Sequence, residues 1–558
     1  MRPVGASRRH PAIRAMSTHR ISTRPPRGDP GARPDVLTDP DDVAPYLEDA
    51  AHYPGGQTPA VVRPTSEAEL AVTLRRGGAV LPVGAQSSLT GGATPRGETV
   101  VSLGRLDSLE VRSSTRLLAG PGVTLTAIRE RLAGSGSSYP PVPTYEGATV
   151  GGIVATDAAG AATFKYGTTR RWVRGLTVML ASGELIDLER GEVTARDGRF
   201  ELVTAQGVVP IPVPSYRMPD VPKHSAGYHA ETDLDLVDLF IGAEGTLGVV
   251  TSVTLDLLPA APSLALAVIG VTSESQAVTV TEALRRESET TRGTRDPRGL
   301  DVVAIEHMDR RCLDLVREDG IDRRLQVALP PEVEVMLLAQ LELPDRLPSE
   351  QLHDEVARSL SSSAPDTPIT RLCRLLDQAA LLETTELVGP TETGRFADLL
   401  RFREAVPEAV NRRVGQAQRR VDPSIHKTAA DMIVPFPRLS ESVALFREAF
   451  RSRGLDHAIW GHISDANLHP NLLPRTAADV ALAREAIVEC GREIVAMGGS
   501  PLAEHGVGRN PTKQRLLALL HGADGIAEMR AVKQALDPDW KLAPGVLFGR
   551  TMTEGTSA

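Results

Sequence analysis

The sequence lacks any run of about 18 apolar residues, the length a helix needs to cross a bilayer. It is also poor in cysteine: Cys312, Cys373 and Cys490 are the only three in 558 residues. An odd, widely spaced set forms no disulfide framework, offers no C-x-x-C zinc pair, and fits a reducing compartment. An excess of positive charge is missing too. Lys and Arg number 62 against 71 Asp and Glu, for a formal net charge of −9. With no basic patch of domain size, nucleic acid is excluded as a partner. These absences point to a cytoplasmic globular protein without a transmembrane segment. They leave open a peripheral contact with the inner face of a membrane, and a homodimer.

What is present is a chain too long for one ordinary core, with length for about two to four domains. Residues 1–35 are rich in Pro, Arg, Gly and Ser and read as a disordered tail. Arginines at 2, 8, 9, 14, 20, 24 and 27, with no acid before residue 28, give the tail a transit-peptide composition. It has no apolar core, so it is no secretory signal, and an over-extended start with Met16 as second initiator is the other reading. Residues 551–558 read as a second tail.

Order is expected from "DPDDVAPYLEDA", a short helix with acids in its first turn. "PAVVRPTSEAELAVTLRRGG" predicts a strand, a cap at Thr65 or Ser66 and a helix stopped by Gly77-Gly78. Between about 100 and 260, short β-rich runs alternate with glycine, and "LASGELIDL" predicts a hairpin through Ser182-Gly183. From 261 to 500, strand-like "LALAVIGV" and "VEVMLLAQLEL" alternate with amphipathic helices around 275–288, 351–360, 440–453 and 476–497. "GADGIAEMRAVKQALDP" predicts a further helix and "KLAPGVLF" a terminal extended segment. The class is α+β: one domain over 36–260, a second α+β domain over 261–500, and a C-terminal segment over 501–550.

Three segments carry chemistry. "PVGAQSSLTGGATP", Pro82 to Pro95, follows a strand and is neither a Walker A loop, having no lysine, nor a G-x-G-x-x-G turn. Its N–H groups suit a concave anion site, and an ordinary surface turn is the plainer reading. "PPVPTYEGATVGGIVATDAAGAATFKYG" is dense in small residues, as backbone wrapped closely round a long flat ligand would be. "IGAEGTLGVVTSV" is of the same kind. Downstream, "GHISDANLHPN" concentrates two histidines, an aspartate and two asparagines, and "AEHGVGR" sets Glu504 beside His505.

In order and separation, "PVGAQSSLTGGATP", "GATVGGIVATDAAG", "KYG" and "IGAEGTLGVVTSV" resemble the FAD-binding fragment of the vanillyl-alcohol oxidase/para-cresol methylhydroxylase superfamily. "FREAVPEAVN", "GHISDANLHPN", "AEHGVGR" and "MRAVKQALDP" resemble its D-lactate dehydrogenase, glycolate oxidase and D-2-hydroxyglutarate dehydrogenase branch. The resemblance covers about 45–550. It implies a vanillyl-alcohol-oxidase-type FAD domain, a substrate (cap) domain, and a C-terminal segment that returns to complete the active site.

Carried over residue by residue, the FAD pyrophosphate falls to Pro82, Val83, Gly84, Ala85, Gln86, Ser87, Ser88, Thr90, Gly91 and Gly92. The ribityl chain and isoalloxazine fall to Pro141, Thr144, Gly151, Gly152, Thr156 and Asp157, and the adenine side to Gly248 and Val249. Some relatives attach flavin through a histidine in the first turn; none stands between Pro82 and Pro95, which implies noncovalent FAD. Many relatives end in L-N-P-G-K, where the asparagine reaches the flavin, but here Ala543 and Val546 occupy the matching places of "LAPGV".

The resemblance also assigns His462, His469 and Glu504 to a divalent metal. Two imidazoles and a carboxylate suit Zn²⁺ or another borderline ion with one position open to the substrate. His505 matches the general base, Arg403 a carboxylate-binding arginine, Lys427 an assisting cation and Asn471 an amide that orients substrate. The implied reaction oxidises a D-2-hydroxy acid to the 2-oxo acid by hydride transfer to flavin. Electrons then pass to a quinone, a cytochrome, an electron-transfer flavoprotein or O₂. Two rivals stand beside it: a metal-dependent hydrolase with a vestigial flavin site, and a non-catalytic flavoprotein subunit of an electron-transfer complex.

Overall fold

The computed structural model describes residues 18–140, 143, 145–260 and 262–550. Strands before residue 260 form three sheets. One is four-stranded, in the order Asp35–Leu37, Val61–Arg63, Thr99–Ser102, Val80–Val83, with parallel pairing among its last three strands. A second is five-stranded and antiparallel, with Val249–Asp256 at its centre between Arg116–Ala119 and Val173–Met179. The third pairs Arg20–Ser22 with Arg199–Thr204 and Gly207–Pro212.

Local signals explain several of these elements. Ser66 caps helix Glu67–Arg75 by accepting the N–H of Glu69, an interaction worth about 1 kcal/mol. The following Gly77 and Gly78 adopt φ of +80° and +84°, which stops the helix cheaply. The Ser182-Gly183 turn joins Val173–Met179 to Leu185–Glu189, with Leu180 N–H donating to Glu184 O at 2.8 Å.

Residues 263–472 supply an eight-stranded sheet. Its path runs Thr385–Val388, Ser263–Val271, Val335–Leu343, Val302–Asp309, His457–His462, Asn467–Leu472, Thr428–Ala429, and Met432–Ile433 pairs Asn467–Leu472 as well. Helices Glu274–Thr294, Thr393–Arg420, Leu439–Arg451 and Ala477–Ala496 accompany it. The class is thus mixed helix and strand, as the sequence predicts.

Two expectations are corrected. Residues 18–35 do not belong to a disordered tail. Arg24 forms ion pairs with Glu67 at 2.9 Å and Asp187 at 2.5 Å, and Arg20–Ser22 adds a strand to a sheet. Arginine-rich composition signalled solvation, but these arginines meet carboxylates presented from other elements. Residues 1–17 and 551–558 lie outside the described residues. "KLAPGVLF" is not an extended segment throughout. Leu542 makes one parallel bridge to Val80, after which Ala543 and Leu547 take φ of 42° and 66° and the chain turns. That bridge returns the C-terminal segment to the strand that leads into the first glycine-rich turn: Val80 N–H donates to Lys541 O and Ala543 N–H to Val80 O, each at 2.8 Å.

Candidate active site

"GHISDANLHPN" is a hairpin. Its strands His457–His462 and Asn467–Leu472 are joined by a 3-10 turn over Ile463–Asp465, with Ala466 at φ 62°. Register puts His462 opposite Asn467 and Trp460 opposite His469. Side chains two apart share a strand face, so His462, Asn467, His469 and Asn471 all project from one face. On the other flank, Glu306 stands opposite His462, and its Oε1 accepts from His462 Nδ1 at 2.7 Å.

"AEHGVGR" closes the site from above that face. Glu504 Oε1 lies 3.3 Å from His462 Nε2, 3.2 Å from His469 Nε2 and 3.5 Å from His505 Nε2. A tetrahedral ion with bonds near 2.05 Å has ligand–ligand edges of about 3.3 Å. The two imidazole nitrogens therefore stand off the carboxylate oxygen at the spacing such an ion needs. Asp431, His469, Glu504 and His505 also bring one donor atom each within 4.8 Å of one another. This cluster has the donor chemistry of a divalent-cation site; His469 and Glu504 belong to it, and His462 Nε2 adjoins it through Glu504 Oε1.

The electrostatics agree. His462 is buried, which opposes its charge, but Glu306 and Glu504 override Lys223 and raise it to about 9. Glu504 is held well below the carboxylate range despite burial, chiefly by Lys223 and His462. The proton that these partners hold between imidazole and carboxylate is one that a bound cation displaces.

Asp431 organises the rest. Its Oδ2 accepts the N–H groups of Glu504 at 2.8 Å and His505 at 2.9 Å, and stands 3.1 Å from His505 Nδ1. Its Oδ1 accepts from Asn467 Nδ2 at 3.0 Å and lies 3.3 Å from His469 Nδ1. A carboxylate at ion-pair distance from Nδ1 of both rings favours a proton there and leaves Nε2 to face Glu504. Lys223, fully buried, reaches Glu504 Oε2 at 3.0 Å and Asp465 at 3.1 Å.

Arg403 sits on helix Thr393–Arg420, where Pro407 cannot supply the usual helical bond to the Arg403 carbonyl. Its Nε donates to Glu306 Oε2 at 2.8 Å. Glu306 thus bridges Arg403 and His462, and burial is outweighed by those two cations, which lower its carboxyl to about 2. The Nη atoms of Arg403 have no protein acceptor among the described residues. Asn471 donates to His469 O at 2.8 Å and leaves its buried Oδ1 without a protein donor. Lys427 is exposed and stands 5.9 Å over the Trp460 ring; no ion pair joins it to the cluster among the described residues.

The flavin candidates divide into two groups. In the first turn the N–H groups of Ala85, Ser87, Ser88 and Gly92 find no protein acceptor among the described residues, as an anion cradle requires. Gly84 passes so close to Thr149 that a Cβ there would lie 2.2 Å from its hydroxyl, and Gly91 has φ +74°. Pro82 and Val83 end the strand paired with Thr99–Ser102, and Ser88 and Thr90 exchange a hydroxyl contact at 3.2 Å.

Gln86 instead turns its side chain inward, to the carbonyls of Tyr46, Glu48 and Ala93. Gly151, Gly152 and Thr156 lie on helix Val150–Thr156, capped by Thr149. Asp157 ends that helix at φ 49° and accepts from Arg170, so its carboxylate is already committed. Gly248 lies where a Cβ would press on Val178 at 2.4 Å, and Val249 pairs with Met179. Pro141 and Thr144 lie outside the described residues.

Sequence reading missed Glu306, Asp431, Lys223 and Glu244. For the first two a signal was present. An acid within "VVAIEHMD" or between "TAA" and "MIVPF" interrupts an apolar strand, and buried acids are rare unless paired.

Residues 58–189 match the FAD binding domain family, and residues 273–547 match the family of FAD linked oxidases, C-terminal domain. The chain is 28% identical over 525 residues to a D-2-hydroxyglutarate dehydrogenase of Xanthomonas citri pv. viticola, covering 92% of this chain and 94% of that one. It is 26% identical to a D-lactate dehydrogenase of Archaeoglobus fulgidus, covering 87% and 88%, and 26% identical to glycolate oxidase subunit GlcD of Bacillus subtilis, covering 84% of each. Among solved structures, 4-ethylphenol oxidase from Gulosibacter chungangensis aligns with TM-score 0.60 at 16% identity over 92% of this chain and 94% of its own, a likeness of fold. With its two halves matching the two domains in order, this chain belongs to the FAD-linked oxidase family.

Proposed function

We propose that the protein oxidises a D-2-hydroxy acid of the lactate, glycolate or 2-hydroxyglutarate type to the 2-oxo acid. The observation that carries this reading is the convergence of His462, His469 and His505 on one Glu504 oxygen, in a chain whose other half matches an FAD binding domain. The relatives named for D-2-hydroxyglutarate, D-lactate and glycolate support the substrate class.

Arg403 binds the substrate carboxylate through its free Nη edge, with Nε anchored on Glu306. His462, His469 and Glu504 hold a divalent cation, which when bound polarises the substrate hydroxyl. FAD, held by the first turn and helix Val150–Thr156, supplies the hydride acceptor. His505 takes the hydroxyl proton at Nε2, while Asp431 holds its Nδ1 and stabilises the imidazolium that results. Asn471 orients the substrate through its unpaired Oδ1.

Anaerobic mixing with D- and L-2-hydroxy acids should bleach the flavin for D isomers or glycolate. No bleaching with any of them would refute the reading. Acid or heat should release FAD from the polypeptide, and flavin that stays with the precipitate would refute noncovalent attachment.

A further inference from the structure

Glu244 lies in "IGAEGTLG" and has no part in the chemistry above. Its backbone takes φ 49°, a left-handed conformation that non-glycine residues hold only where the surroundings impose it. The turn is imposed from below: Gly242 N–H donates to Val154 O at 2.9 Å and Glu244 N–H to Ala155 O at 2.8 Å, both on the last turn of helix Val150–Thr156. From this turn the half-buried side chain reaches the loop that carries Glu504 and His505. Oε1 accepts the N–H of Val507 at 2.7 Å and Oε2 that of Gly508 at 2.8 Å. The fit is close. A Cβ on Gly506, at φ +73°, would lie 3.0 Å from Glu244 Oε1, and one on Gly508, at φ +57°, would strike Thr90.

We infer that Glu244 is a positioning residue for the reaction proposed above: its two-point clasp on Val507 and Gly508 fixes the distance from His505 to the flavin-lining helix Val150–Thr156. Charge-assisted bonds from two consecutive N–H groups make the clasp rigid as well as strong. Lys223 and Asp431 hold Glu504, and Asp431 also holds His505, so release of the clasp loosens the loop that carries the base against the flavin-lining helix without detaching the base from Asp431. Desolvation pushes the Glu244 carboxyl up to about 7 against the Val507 and Gly508 bonds and Lys513. Lys513, on helix Pro511–Leu536, is the titratable group that acts on it, and it acts in turn on the Tyr228 phenol; its other neighbours are the loop 506–508 and Gly92. The carboxylate form accepts both N–H groups, so the clasp is complete above about pH 7 and loosens below it.

The experiment compares the full-length, FAD-loaded wild type with Glu244→Gln, whose amide can accept from one N–H only. Hydrogen exchange is measured over residues 502–510, together with flavin reduction by a saturating 2-hydroxy acid across pH 6–9. In Glu244→Gln, exchange at Val507 and Gly508 should rise at least about tenfold and flavin reduction should fall at least about tenfold. FAD content and substrate Kd should stay within about twofold, and the acid-side rise in wild-type exchange near pH 7 should disappear. Unchanged exchange, or changed exchange with an unchanged reduction rate, overturns the inference. Loss of FAD also overturns it, because Glu244 would then be holding cofactor. If the wild type itself is not reduced by any 2-hydroxy acid, the proposed function fails, and the exchange measurement still decides the clasp.

Discussion

Two glycine-rich loops of similar composition are wired in opposite ways. In the turn from Gly84 to Gly92, the N–H groups of Ala85, Ser87, Ser88 and Gly92 have no protein acceptor among the described residues. In the loop from Glu504 to Arg509, five N–H groups are committed. Glu504 and His505 donate to Asp431, Val507 and Gly508 to Glu244, and Arg509 to the carbonyl of Thr90 at 3.0 Å. Uncommitted donors receive a ligand, whereas committed donors hold side chains still. Glycine serves both loops by close approach, at Gly84 and Gly508, and by positive φ, at Gly91, Gly506 and Gly508. The last bond, Arg509 to Thr90, also ties the two loops to each other, so the base is registered against the cradle.

Removing the residue that the rigid loop exists to present should have the largest effect. His505→Ala leaves Glu504, Asp431 and the cradle untouched. Flavin reduction should slow by at least the roughly 10² expected for loss of a general base, with FAD and metal content unchanged. Stopped-flow reduction and elemental analysis on one preparation check this, and a variant within a few-fold of wild type would remove His505 from the chemistry.

Next in size is damage to the loop's anchor. Asp431→Asn keeps the volume but loses the charge that accepts two N–H groups and orients His469 and His505. Loss of such a supporting carboxylate costs about 10–100-fold in metal affinity. Zinc affinity should fall by that order in a chelator competition. Equal affinity in variant and wild type would mean that the rings are held without Asp431.

The unequal legibility of the two loops has a physical cause. The first was readable because glycines, small polar residues and a preceding strand lie within eleven consecutive positions. His462, His469, Glu504 and His505 were singled out by family pattern, and strand register explains how the first two share a face. The carboxylates Glu306, Asp431 and Glu244 were not, because each acts on residues 36 or more positions away and local spacing cannot encode that pairing. Residues 18–35 were misread for the same reason: Arg24 reads as solvated until Glu67 and Asp187 are placed beside it.

A smaller effect is expected at the substrate edge of the committed scaffold. Arg403→Lys retains a cation but loses the planar fork and cannot both anchor on Glu306 and pair a carboxylate at two points. One charge-assisted bond is worth about 1.5–3 kcal/mol, so KM for the hydroxy acid should rise about tenfold or more. FAD content should stay unchanged. Kinetics equal to wild type would take Arg403 out of the substrate site.

The smallest effect tests the uncommitted loop directly. If backbone N–H groups hold the pyrophosphate, a side chain beside them should matter little. Ser87 is the residue for this test, because its hydroxyl has no protein partner among the described residues, and Ser87→Ala leaves every N–H in place. FAD affinity, measured by titrating the apoprotein with flavin, should weaken by less than about threefold, below the ~1 kcal/mol of one full hydrogen bond. Gly84→Ala should do more, although it removes no donor. Its Cβ would displace the Thr149 hydroxyl, which caps helix Val150–Thr156 by accepting the Gly152 N–H, a cap worth about 1 kcal/mol. If Ser87→Ala instead weakens FAD tenfold or more while Gly84→Ala leaves it unchanged, the hydroxyls hold the dianion. The contrast between committed and uncommitted N–H groups then no longer explains which loop binds.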